Sequence, residues 1–110
     1  MADGPETRLV KRMVEAIKKE HPSAWIVKIA GGRYQTAGIP DLVVVVSGQF
    51  IALEAKAQGP TESAQHARDR VTPQQEATIA KILRGGGVAG VVISVEEALE
   101  LVSKAVVHLD

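Results

Sequence analysis

The β-branched run Leu42-Val43-Val44-Val45-Val46, followed after Ser47-Gly48-Gln49 by Phe50-Ile51-Ala52-Leu53, limits the possible folds more than any other stretch of the chain. An uninterrupted apolar run of this length reads as a strand covered on both faces, and Gly48 marks the turn into a second strand. With Gly48-Gln49 as a two-residue loop, Ser47 pairs with Phe50, Val43 with Glu54 and Asp41 with Lys56. Cross-strand partners share a face, as do residues two apart on one strand. Asp41, Glu54 and Lys56 are therefore expected to converge at the open end of the hairpin. Opposed and diagonal neighbours lie roughly 5–8 Å apart, close enough for two carboxylates to reach one divalent cation. Two acids and an amine beside so apolar a ribbon are costly unless paired or metal-bound, although an ion pair between Asp41 and Lys56 would also account for them.

A chain of 110 residues is expected to form one domain over 1–110, a single sheet with flanking helices. Hydrophobic residues make up 45% but aromatic ones only 3%, which implies an aliphatic core and argues against base stacking on an aromatic platform. The absence of cysteine excludes disulfides, thiolate metal sites and cysteine nucleophiles. Thirteen basic and thirteen acidic residues balance, so a nucleic-acid binder would have to segregate its cations on one surface. No apolar stretch reaches the ~18 residues of a membrane span, and the start lacks the basic and apolar regions of a secretion signal. A cytoplasmic location is expected.

In chain order, Gly4-Pro5 opens a helix whose stripe is Leu9, Val10, Met13, Val14 and Ile17. Glu6 falls within that stripe and Glu15 on the opposite side among lysines. A short strand over 24–29 follows, with Trp25 read as core packing, and then a glycine-rich loop over 30–38. That loop is either a plain connection or one whose amides approach phosphate, with Arg33 and Tyr34 touching a nucleic-acid backbone. The polar stretch 57–71 reads as a flexible, solvated loop, or one whose His66, Arg68 and Arg70 settle on a phosphate backbone. Thr72-Pro73-Gln74-Gln75 starts a helix with a capping-box pattern and turns Gln75, not Gln74, toward the sheet. Three glycines at 85–87 stop it, a strand over 88–93 follows, and an amphipathic helix comes last. Residues 106–109 are expected to cover a sheet edge or meet a partner chain.

Pro40-Asp41, a hairpin, and Glu54-Ala55-Lys56 together resemble the PD-(D/E)XK nuclease superfamily. The wider ordered set of Lys28-Ile29, Gly31-Gly32, Tyr34-Gln35, Gly38-Ile39-Pro40-Asp41, the hairpin and Thr72-Pro73-Gln74-Gln75 looks like its VRR-NUC branch in small stand-alone form. The likeness runs from about residue 6 to about residue 95. It implies an α/β, restriction-endonuclease-like αβββαβ core, a mixed sheet flanked by helices, with an extra C-terminal helix. It also implies a Mg2+- or Mn2+-dependent deoxyribonuclease. Asp41, Glu54 and the Ala55 backbone carbonyl would be metal ligands, and Lys56 would orient or deprotonate water. Glu6 would be the helix-borne acid and Gln75 the glutamine that helps hold the attacking water. Lys28, Arg33, Tyr34, Arg68 and Arg70 are the expected nucleic-acid contacts. Small members of the family resemble Holliday-junction resolvases, which implies branched or flapped DNA, a homodimer, and a phage or mobile-element setting.

Other chemistries fit poorly. No histidine stands near a nucleophile motif, no H-x3-H pair or thiolate offers a zinc site, and paired-acid sugar hydrolysis would want more aromatic surface. Two alternatives remain: a catalytically silent nuclease fold that binds DNA or protein, and an interaction module whose 57–71 segment orders on a partner.

Overall fold

The apolar centre of the chain becomes two neighbouring strands of a four-stranded sheet in the computed structural model, which describes residues 3–29 and 37–107. In chain order the elements are α1 (Pro5–Glu20), β1 (Trp25–Lys28), β2 (Leu42–Val46), β3 (Gln49–Ala55), α2 (Ala64–Asp69), α3 (Pro73–Arg84), β4 (Val88–Val92) and α4 (Val95–Val107). Strand order is β1-β2-β3-β4, with antiparallel pairing between the first three and a parallel β3/β4 pair. A parallel neighbour needs a crossover connection, and α2 with α3 supplies it. The sheet is therefore mixed and flanked by helices, as expected.

The hairpin turn sits one residue earlier than the sequence suggests. Val46 pairs with Gln49 and Val43 with Ala52, so Ser47-Gly48 forms the loop. Both loop residues have positive φ, 51° and 77°, the conformation whose twist matches a two-residue hairpin. With Gly48-Gln49 as the loop, glutamine would have to adopt the left-handed conformation; the observed turn instead puts serine there, at a cost of about 1–2 kcal/mol, and gives glycine the second place. The pairing is displaced by two residues from the expected register. An even displacement leaves every side chain on its predicted face.

One face of the sheet is the core. Leu42, Val44, Val46, Ile51, Leu53 and Ala55 are buried there against Leu9, Val10, Met13 and Ile17 of α1 and Ala98, Val102 and Ala105 of α4. The opposite face carries Val43, Val45, Phe50, Ala52 and Glu54. It is covered by α3 over β3 and β4. Trp25 lies on this second face and is 60% exposed, not buried in the core. A ring on the edge strand β1, with α3 two strands away, has no layer to pack under among the described residues.

The 57–71 segment is more ordered in conformation than a flexible loop. Ser63 caps α2 by accepting the His66 N–H at 3.0 Å, and Ala67 is fully buried. Arg68 forms a two-pronged pair with Glu97 of α4, and Arg70 reaches Glu6 of α1. Polar composition hid a helix stabilised by ion pairs to two other helices. Val106, expected with 107–109 to cover a sheet edge or meet a partner chain, belongs to the last turn of α4 and packs against the core. The expected loop contacts Arg33 and Tyr34, and His108 and Leu109, lie outside the described residues.

Gly38 fixes how α3 approaches the hairpin. Its φ is +87°, and a Cβ there would stand 2.5 Å from the Gln74 carbonyl oxygen. Both the dihedral and the space exclude a side chain. Gly38→Ala is expected to cost about 2 kcal/mol in chemical denaturation and to push the start of α3 off the sheet.

Candidate active site

Asp41 precedes β2 and Glu54 sits near the end of β3, so continuing the observed register brings the two opposite each other on the α3 face. Lys56 lies two residues beyond Glu54 on the same side. The Asp41 carboxylate accepts the Ala55 N–H at 2.8 Å, which pins it across the hairpin end. The Lys56 N–H donates to Val92 of β4, so alternation along the strand turns both the Ala55 N–H and its carbonyl toward Asp41.

Glu54 is 3% exposed and is the buried charged residue among those described. Its Oε2 accepts from Gln75 Nε2 at 3.1 Å and lies 3.6 Å from Lys56 Nζ. Gln75 serves two purposes at once. Its side-chain oxygen accepts the Thr72 N–H at 2.9 Å, closing the capping box, and this leaves its amide nitrogen aimed at Glu54. The capping and site-facing readings of Gln75 are thus both satisfied by one side chain.

Glu54 Oε1 is buried without a hydrogen-bond partner. Between two ionised carboxylates neither can donate, so that oxygen calls for a shared proton, a water or a cation. Burial, then the neighbouring Asp41 carboxylate, push the Glu54 carboxyl up to about 8, against the opposing pull of Lys56. An all-oxygen set of two carboxylates and the Ala55 carbonyl suits a hard divalent cation, and the orphaned Oε1 gives such an ion a ready ligand. Among the described residues no group of three His, Cys, Asp or Glu side chains gathers, so a backbone oxygen and water would have to complete any coordination shell.

The sequence and the fold that carry these two acids, the lysine and the glutamine have counterparts among known domains. A family model for the VRR-NUC domain matches residues 2–96. The chain belongs to the VRR-NUC family. It is a nuclease family, and the fold agrees: a solved structure titled as a VRR_NUC domain matches with a TM-score of 0.66 at 20% identity, covering 92% of this chain and 97% of that one. The shared architecture is restriction-endonuclease-like. A search of curated proteins finds no match.

Other expected contacts of this VRR-NUC domain are placed differently. Glu6 is half exposed and bonds Arg70 at 3.0 Å, rather than meeting the hairpin carboxylates. At the first turn of α1 it stands at the rim of the core, where a neighbouring guanidinium is the nearer partner. Arg70 is itself engaged by Glu62 and the Ala57 carbonyl as well as Glu6, and Arg68 by Glu97. These ion pairs raise both arginines and lower Glu62, to about 2, chiefly through Arg70. Neither arginine is a free cation awaiting phosphate. Lys28 is exposed at the end of β1, opposite Leu42 on the α1 side of the sheet. The sequence reading did not single out Glu62 and Glu97, whose partners are 8 and 29 residues away. Only the i,i+4 spacing of Glu62 and His66 gave a local signal.

Proposed function

We propose that this VRR-NUC domain is a metal-dependent endonuclease that hydrolyses DNA phosphodiester bonds, acting on branched or flapped DNA as a homodimer in the cytoplasm. The observation that carries the reading is the buried Glu54 carboxylate, with one oxygen held by Gln75 beside Lys56 and the other without a partner next to Asp41. Asp41, Glu54 and the Ala55 carbonyl would hold Mg2+ or Mn2+. When bound, such an ion neutralises charge on the phosphate and lowers the pKa of a water. Lys56 would orient that water or take its proton, and Gln75 would keep Glu54 from rotating. Glu6, freed from Arg70, would lie at the rim as an outer acid.

The branched-DNA and dimer elements rest on the likeness to junction resolvases. Cleavage measured on linear, flap, splayed-arm and four-way DNA, with and without Mg2+, tests them together. Cutting of the four-way substrate by a dimer is expected, and equal cutting of linear duplex would remove the structural preference. Calorimetric titration with Mg2+ alone separates an enzyme from a silent binding module. Ion uptake with proton release is expected from the unaltered chain and none from Asp41→Asn; a flat titration of the unaltered chain would favour the silent module.

A further inference from the structure

Residues Trp25, Val45 and Phe50 lie in one row across β1, β2 and β3, because Trp25 pairs with Val45 and Val45 with Phe50. Directly paired residues share a face, and this is the face of Asp41 and Glu54. Trp25 is 60% and Phe50 42% exposed, although large apolar side chains ordinarily withdraw from water. Two strands separate the rings by roughly 10 Å, and four residues along β2 place the row roughly 13 Å from Asp41. Between the row and the carboxylates the next pair is Val27 with Val43, and among the described residues no charged residue of β1 or β2 interrupts this floor, while Ala52 beyond Val43 is buried on the side that α3 covers.

The flank of α3 forms a wall. Gln74 stands over Gly38 beside the entry to β2, and Thr78 and Lys81 follow it at i+4 and i+7 on the same side of the helix. Lys81 is exposed. An apolar floor with an aromatic pair at one end, two carboxylates at the other and a cation on the wall fits a nucleic-acid strand with its bases inward and a phosphate toward Lys81. Rings that keep part of their surface exposed, Trp25 on the uncovered edge and Phe50 at the end of α3, can stack on unpaired bases, whereas bases in a duplex are already stacked. A span of 13 Å corresponds to about two to four nucleotides.

We infer that this row is a platform for an unpaired segment of the DNA substrate, holding single-stranded arms against the sheet and leading the strand to the hairpin carboxylates. The inference rests on the nuclease reading and gives it a substrate class, DNA in which duplex meets single strand. It reverses the expectation drawn from the low aromatic content. Few aromatics suffice when two of three share one face.

Trp25 is the sole tryptophan of the chain, so its emission reports on this row alone. In EDTA, where binding is read without cleavage, splayed-arm DNA and oligothymidylate are expected to quench it and blunt duplex to leave it unchanged. Trp25→Ala and Phe50→Ala should each narrow the affinity ratio of splayed-arm over blunt duplex by about tenfold, with Trp25→Phe restoring most of it. Circular dichroism confirms that each variant is folded. Emission indifferent to unpaired DNA, with an unchanged ratio in Trp25→Ala, overturns the platform. Emission that shifts with protein concentration in the absence of DNA, and is then insensitive to oligothymidylate, assigns the face to a second copy and overturns it too. Cleavage of the splayed-arm substrate in Mg2+ is scored separately. The platform can therefore fail while the active site stands, and quenching without cleavage would fail the active site alone.

Discussion

Asp41→Asn is expected to leave branched DNA essentially uncut, with a rate lowered on the order of a thousandfold or more, while the protein stays folded. The side-chain oxygen of asparagine can still accept the Ala55 N–H that Asp41 accepts at 2.8 Å, so the hairpin end keeps its shape. What disappears is a negative charge beside Glu54, and with it half of the carboxylate pair available to a cation. Lys56→Met should be comparably damaging for a different reason. It removes the ammonium 3.6 Å from Glu54 Oε2, which under the proposed mechanism orients the attacking water or takes its proton. Single-turnover cleavage of a four-way substrate measures both. A rate within threefold of the unaltered chain in either variant would place the chemistry elsewhere in the molecule.

The metal-free protein should lose stability as pH rises from 5 to 8. Glu54 holds its proton up to about 8 in the folded chain and only to the ordinary 4.5 when unfolded. Between those values the native state binds the extra proton, so raising pH favours the unfolded state. The loss is on the order of 3 kcal/mol across that window. Glu54→Gln keeps a neutral side chain at every pH and should flatten the dependence, melting above the unaltered protein at pH 8 in EDTA. Mg2+ should restore stability at pH 8 and have little effect at pH 5, where it would have to displace the proton. Denaturant titrations at the two pH values, with and without Mg2+, read all of this. A metal-free protein that gains stability toward pH 8 would show that Glu54 is ionised in the folded chain.

The hairpin and its converging charges were legible because strand periodicity is two, so a turn misplaced by one residue changed the partners but not the faces. The capping box at Thr72 and the inward side of Gln75 were legible for a similar reason, since both depend on spacings within one helix. Relationships across elements were not. The chain 57–71 is too polar to announce α2, which rests on one buried alanine and on arginines paired to Glu97 and Glu6. Glu6 shares a helical side with Leu9 and Val10, but periodicity does not reveal that Arg70 will meet it 64 residues later. Trp25 was misplaced because a strand pattern does not tell an edge from a centre. Four apolar or long residues in a row look alike whether or not a helix lies above them.

The family match ends at residue 96, yet α4 continues to Val107 and buries Ala98, Val102 and Ala105 over the same sheet face that α1 covers. During synthesis every residue of the candidate site emerges before this helix does. In the folded chain this helix closes the core beside Met13, Ile17 and the inner side of the hairpin. A chain shortened to residue 96 would keep every candidate site residue and lose the apolar cover that Ala98, Val102 and Ala105 give the inner face of the sheet, so its expected defect is in stability.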